Sequence, residues 1–155
     1  MHARAHELIR LLRLQPHPEG GYFAEVHRSD HTVRRADGEQ RSAVTTILFL
    51  LARGQFSQWH RVAADETWHF LEGAPLLLHL TTPHGTELQS VELGPVISGR
   101  LPVHVVPAHA WQGAQPLGDF ALVACTVAPG FEFTDFTLID SLPPEQRPAL
   151  PALPR

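Results

Sequence analysis

The chain has 155 residues, of which 43 % are hydrophobic and 18 % charged, with a formal net charge of -4. That length and balance describe one globular domain, and the mild acidity excludes the net basic face that nonspecific nucleic-acid binding requires. All twelve basic side chains other than His are Arg; with no Lys there is no Schiff-base, pyridoxal-phosphate or phosphate-loop lysine, and the single Cys125 excludes an intramolecular disulfide.

The chain opens with Leu8, Leu11 and Leu12 at helical spacing among Arg4, Glu7, Arg10 and Arg13, which predicts a short amphipathic helix within residues 1–15, stopped by Pro16 and Pro18. No segment has the apolar length of a signal peptide or a membrane span, so no membrane contact and a cytoplasmic location are expected. From residue 16 to 140 short apolar runs alternate with Gly, Pro and Asp breakers about every ten residues, the pattern of an all-β barrel or sandwich. The strands predicted are Tyr22–Ser29, Ala43–Leu51, Phe56–Val62, Glu66–Glu72, Leu76–Thr82, Glu87–Leu93, His104–Val106, Trp111–Ala114, Phe120–Ala128 and Phe133–Leu138. Residues 141–155 carry Pro143, Pro144, Pro148, Pro151 and Pro154, which keep this tail out of a central strand and predict a surface segment.

Eleven His are too many to single one out by type, so spacing must select. In Gly54–Gly73 one predicted strand runs to His60, turns at Ala63–Asp65 and returns through Glu66. Period-two alternation sets Phe56, Gln58, His60 and Val62 on one face, and Glu66, Trp68 and Phe70 on one face of the next strand. If the faces coincide, an imidazole and a carboxylate meet in an aromatic-lined cavity. Pro18-Glu19-Gly20-Gly21 reads as a tight turn before the first strand, and Cys125, inside an apolar run, as an inert core thiol.

Gly54, His60, Glu66 and Gly73 fit the first motif of the cupin superfamily, with Val62 where a second His belongs. The second motif falls on Pro107–Gln112, with His109 replacing its Gly and Gln112 its His. Pro16–Phe23, Phe56–Arg61, Glu66–Phe70, Val106–Ala108, Trp111-Gln112 and Ala128–Phe131 resemble the Cupin-5 family in particular. The resemblance implies a cupin double-stranded β-helix barrel, jelly-roll-like, with a short N-terminal helix, and it implies a homodimer.

Three chemistries follow for such a barrel. A metal would rest on His60 and Glu66, with Val62 unable to coordinate and Gln112 offering only an amide. No cofactor is therefore required, and at most a weakly bound divalent metal is expected, unless His69, His79, His104 or His109 fills the gap. Without a metal, His60, Glu66 and Tyr22 are the candidate acid–base groups. As a binding pocket, Gln58, Trp68, Phe70, Trp111 and Gln112 are the candidate ligand contacts, with Phe56 beside them. The function expected is binding of a small molecule, with isomerase or epimerase chemistry on a sugar-like or polar metabolite. The alternatives are a metal-dependent enzyme with a depleted ligand set and a non-catalytic binding or structural module.

Overall fold

The computed structural model describes residues 1–153. Among the described residues one α-helix, α1 (Ala3–Leu11), precedes fourteen strands. The first seven are β1 (Gln15–Pro16), β2 (Tyr22–Arg28), β3 (Thr32–Arg34), β4 (Gln40–Ser42), β5 (Thr45–Ala52), β6 (Ser57–Val62) and β7 (Asp65–Gly73). The others are β8 (Leu76–Thr81), β9 (Leu88–Leu93), β10 (Arg100–Leu101), β11 (Val103–Val106), β12 (Gln112–Pro116), β13 (Phe120–Ala128) and β14 (Phe136–Leu138). Two six-stranded sheets in the orders β1-β2-β5-β13-β7-β11 and β10-β9-β8-β12-β6-β14 pack face to face as a jelly-roll barrel, and β3-β4 is a separate hairpin.

The first sheet is covered on both sides. Phe49 and Leu51 of β5 face the barrel interior with Trp68, Leu78, Val123 and Cys125. Leu50 and Ala52, one position along, face outward onto Ala5 and Leu8 of α1. Two buried faces explain why β5 reads Thr-Thr-Ile-Leu-Phe-Leu-Leu-Ala with no polar alternation. Each fully buried Leu in these layers contributes about 1.5–3 kcal/mol.

The tail runs along the outside of the second sheet. Trp59 Nε1 donates to the Pro151 carbonyl at 2.8 Å. Gly113 is small enough to seat Leu153, whose Cδ1 would stand 2.8 Å from an added Cβ. Pro154, named above as part of this tail, lies outside the described residues.

The β3-β4 hairpin turns at Asp37-Gly38, seen in the sequence only as a breaker, because its strands are short and polar. Arg35 and Arg41 pin it to Asp135, with N···O distances of 2.9 and 2.8 Å. Residues 133–135 form a 3-10 turn, so the last predicted strand is shortened to β14.

Candidate functional site

His60 reaches the interior through a bulge. Gln112 of β12 opposes His60, but Ala114 opposes Ser57, so β6 uses one residue more than its partner over this stretch. Ser57 and His60 are therefore both turned inward and buried, whereas Gln58 is exposed. This corrects the expectation that Gln58 lines the cavity: strict alternation fails at the bulge. The same kink lets His60 Nδ1 reach the Gln58 carbonyl at 2.7 Å. A carbonyl only accepts, so Nδ1 carries the proton and Nε2 is left with a free lone pair.

A second carboxyl meets that lone pair. In the turn after β1, Gly20 N–H donates to the His17 carbonyl at 3.0 Å, and Glu19 N–H donates to His17 Nδ1 at 3.2 Å. Gln58 N–H donates to the Glu19 carbonyl at 2.8 Å and ties the turn to β6. Gly20 has φ +108°, and a Cβ there would strike the Phe56 carbonyl, so only glycine closes this join. The Glu19 side chain points into the barrel, where Oε1 accepts from Ser57 Oγ at 2.9 Å and Oε2 lies 3.1 Å from His60 Nε2.

Glu66 enters from β7 by ordinary alternation. Its Oε2 accepts from Gln112 Nε2 at 2.6 Å, and Gln112 Oε1 accepts from Trp68 Nε1 at 2.8 Å. His17, Glu19, His60, Glu66 and Cys125 share one cavity with Phe23, Ile47, Val127, Phe131 and Phe136. Its free volume is about 30 Å³, room for roughly two waters.

The charges are strongly displaced. Burial pushes the Glu19 carboxyl up to about 8, against the pull of Ser57. Burial takes Glu66 up to about 7, opposed by His60 and reinforced by Glu19. Burial lowers His60, more than Glu66 raises it. Burial, with His60 adding, takes His17 down to about 4. Near neutral pH, Glu19 is a neutral acid donating to His60 Nε2, Glu66 sits at its midpoint, and both imidazoles are uncharged. Burial and the neighbouring Glu66 and Glu19 hold the Cys125 thiol protonated, so it is a wall of the cavity and not a nucleophile.

The remaining sequence candidates divide. Trp68 and Gln112 are fully buried behind the cavity, where they hold Glu66 in place. Phe70 packs against the interior core. Tyr22 is corrected: it pairs with Leu50 and packs under α1, on the outer face of the sheet, because alternation along β2 turns Phe23 inward instead. Trp111 is corrected as well: it lies beneath Arg61 and lines a cleft elsewhere on the molecule. Phe56 lines a shallow surface depression with Arg53 and Leu117. His17, Glu19 and Ser57 were missed. The pointer to Glu19 was a carboxylate held between Pro18, which fixes the backbone, and a glycine pair, which permits the left-handed turn that aims the side chain.

The metal set of the cupin motifs does not fit here. Val62 packs with Val127, Phe131 and Phe136, and both ends of the Gln112 amide are engaged by Trp68 and Glu66. None of His69, His79, His104 and His109 lines the cavity. Among the described residues, no group of three or more His, Cys, Asp or Glu is arranged to hold a metal ion.

The Cupin_5 family of the cupin superfamily, whose domain is also described as DUF985, matches residues 6–139. The chain belongs to the Cupin_5 family. This cupin is similar to a hypothetical protein from Leishmania major, with 34 % identity, a TM-score of 0.81, and 92 % of this chain and 94 % of that one covered. It is similar to protein SO0799 from Shewanella oneidensis, with 35 % identity, a TM-score of 0.78, and coverage of 87 % and 85 %. A single-site mutant of Bacillus subtilis oxalate decarboxylase shares the fold at 15 % identity and TM-score 0.57, the cupin covering 79 % of its own length and 29 % of that chain. No curated protein matches the sequence.

Proposed function

We propose that the cupin binds a small polar metabolite at the mouth of this cavity, with only its reacting carbon entering the water-sized space inside, and moves a proton on it, as an isomerase or epimerase does, without a metal. The observation that carries the reading is the buried Glu19–His60 pair sharing one small cavity with buried Glu66. Proton transfer works best when the acid and base titrate near the working pH, and Glu66 at about 7 is poised to act as either. Glu19, held neutral by burial and positioned by His60 Nε2, is the proton donor. In this scheme Glu66 takes a proton from a substrate carbon and Glu19 returns one, so the substrate is rearranged with no net gain or loss, and the proton held by Glu66 passes back to Glu19 through water once the product has left. Phe23, Phe131 and Phe136 wall the cavity with apolar surface, which strengthens every polar contact inside it.

The experiment is exchange in deuterated water with a panel of small sugars and other small hydroxy-carbonyl compounds. The expected result is enzyme-dependent deuterium uptake at one C–H of one compound, lost in Glu66→Gln and in Glu19→Gln. Uptake that survives both substitutions rejects the assignment. Metal analysis of untagged, chelator-dialysed protein tests the metal-free clause: substoichiometric metal with unchanged activity is expected, and near-stoichiometric metal lost in His60→Ala overturns it. On the family resemblance we also propose a homodimer, which sedimentation velocity reads directly.

A further inference from the structure

Among the described residues five arginines are half-buried: Arg4, Arg35, Arg41, Arg61 and Arg100. Four of them pair with carboxylates, through Glu72, Asp135 and Glu92 among others. Arg61 is the exception, with no carboxylate partner among the described residues. Its guanidinium lies 4.9 Å over the Trp111 ring, on the opposite face of β6 from His60. An indole face fixes a guanidinium in place and leaves its in-plane N–H donors pointing outward.

Those donors line a cleft of about 250 Å³ that they share with His84, His109 and Arg147. Arg147 is held by its own neighbours, donating to the carbonyls of Leu142 and Asp140 at 2.8 and 3.0 Å with Nη1 3.3 Å from the Asp140 carboxylate. The two imidazoles face each other at 5.9 Å with an interplanar angle of 24°. Both histidines stand in left-handed backbone, with φ 64° at His84 and 70° at His109. Glycine adopts that conformation freely, whereas a side chain there is strained, so an imidazole at both positions is held at the expense of stability. One carboxylate, Glu145, also lines the cleft.

We infer that this cleft is a binding site for a phosphate group, separate from the barrel cavity. The flat fork of Arg61 matches two oxygens of a tetrahedral oxyanion, and the imidazole pair supplies further donors around it. The cleft and the cavity lie on opposite faces of β6, so the phosphate site stands whether or not the acid–base reading of the cavity does.

The test is titration of inorganic phosphate into ¹⁵N-labelled protein, against sodium chloride of equal ionic strength and against acetate. Saturable shifts at the His84 and His109 amides and the Arg61 side chain are expected with phosphate alone. Arg61→Gln is expected to weaken phosphate about tenfold or more, a change of about 1.4 kcal/mol. Should that variant fail to fold, Arg61→Lys keeps the charge without the fork and is expected to weaken binding less. His109→Gly is expected to weaken phosphate while raising the thermal midpoint, since it relieves the strain. The inference is overturned if phosphate gives no saturable shift, if acetate matches it, or if the arginine variants bind phosphate as the parent does.

Discussion

A buried carboxyl that titrates at about 8 when folded and near 4.5 when unfolded weakens the fold as pH rises between those values. In the unfolded chain Glu19 has already given up its proton, whereas the folded chain must keep it or bury a charge, so stability is full below about 4.5 and is lost progressively up to about 8. Glu66 acts in the same direction up to about 7. His17, lowered from 6.5 to about 4, opposes both, as does His60, lowered from the same starting value by its burial, but only below 6.5. The clean window is therefore pH 6.5 to 8, where unfolding free energy is expected to fall with pH by up to about 1.4 kcal/mol per unit from Glu19, with Glu66 adding to the fall only up to about 7. Denaturant titrations across that window check this, and Glu19→Gln is expected to flatten the slope. A second outcome belongs to Gln112, which satisfies Trp68 and Glu66 at once. Gln112→Leu is expected to cost about 1–3 kcal/mol, with part recovered by Trp68→Phe, which removes the orphaned donor. Measured unfolding curves for both variants decide it. His60 and Glu66 were legible because the chain brings them within one hairpin. Glu19 was not, because its partner His60 is far along the chain and no spacing rule links a turn to the strand it is fastened to.

The bulge in β6 shows why elements were easier to read than their faces. Breakers and apolar runs marked most strands to within a residue or two, yet a single extra residue in β6 reversed the orientation of Gln58 and aimed Ser57 inward. Nothing in Ser57-Gln58-Trp59-His60 signals that insertion, which is visible only against the register of β12. The turn at Gly20 is equally specific. Gly20→Ala is expected to displace Glu19 from His60, because the added methyl meets the Phe56 carbonyl and the left-handed backbone resists a side chain. A crystal structure or the ¹⁵N imidazole shifts of His60 in that variant measure the displacement. The tail is an element in the same sense, although it forms no strand. Truncation after Pro148 removes the Pro151 acceptor from Trp59 and uncovers the face that Leu153 seats upon. A loss of about 1.5–3 kcal/mol and a red shift of tryptophan emission are expected on uncovering that side chain.

At the scale of the whole molecule, the barrel was legible because a family pattern and alternating apolar runs agree over most of the chain. The second cleft was not, since it draws on β6, on the loops around residues 84 and 109, and on the tail. The order of the first sheet carries a consequence for how the protein is made. β13, the last long strand, lies between β5 and β7, and it supplies Cys125 and Val127 to the cavity wall. A chain still emerging from the ribosome thus holds β5 and β7 with their facing edges unpaired until Phe120–Ala128 has been synthesised. Closing such distant pairs is slow, and open apolar edges attract other chains in the meantime. The nascent protein therefore spends most of its translation without a barrel, and its demand on chaperones is concentrated in the interval before the last long strand slots into place.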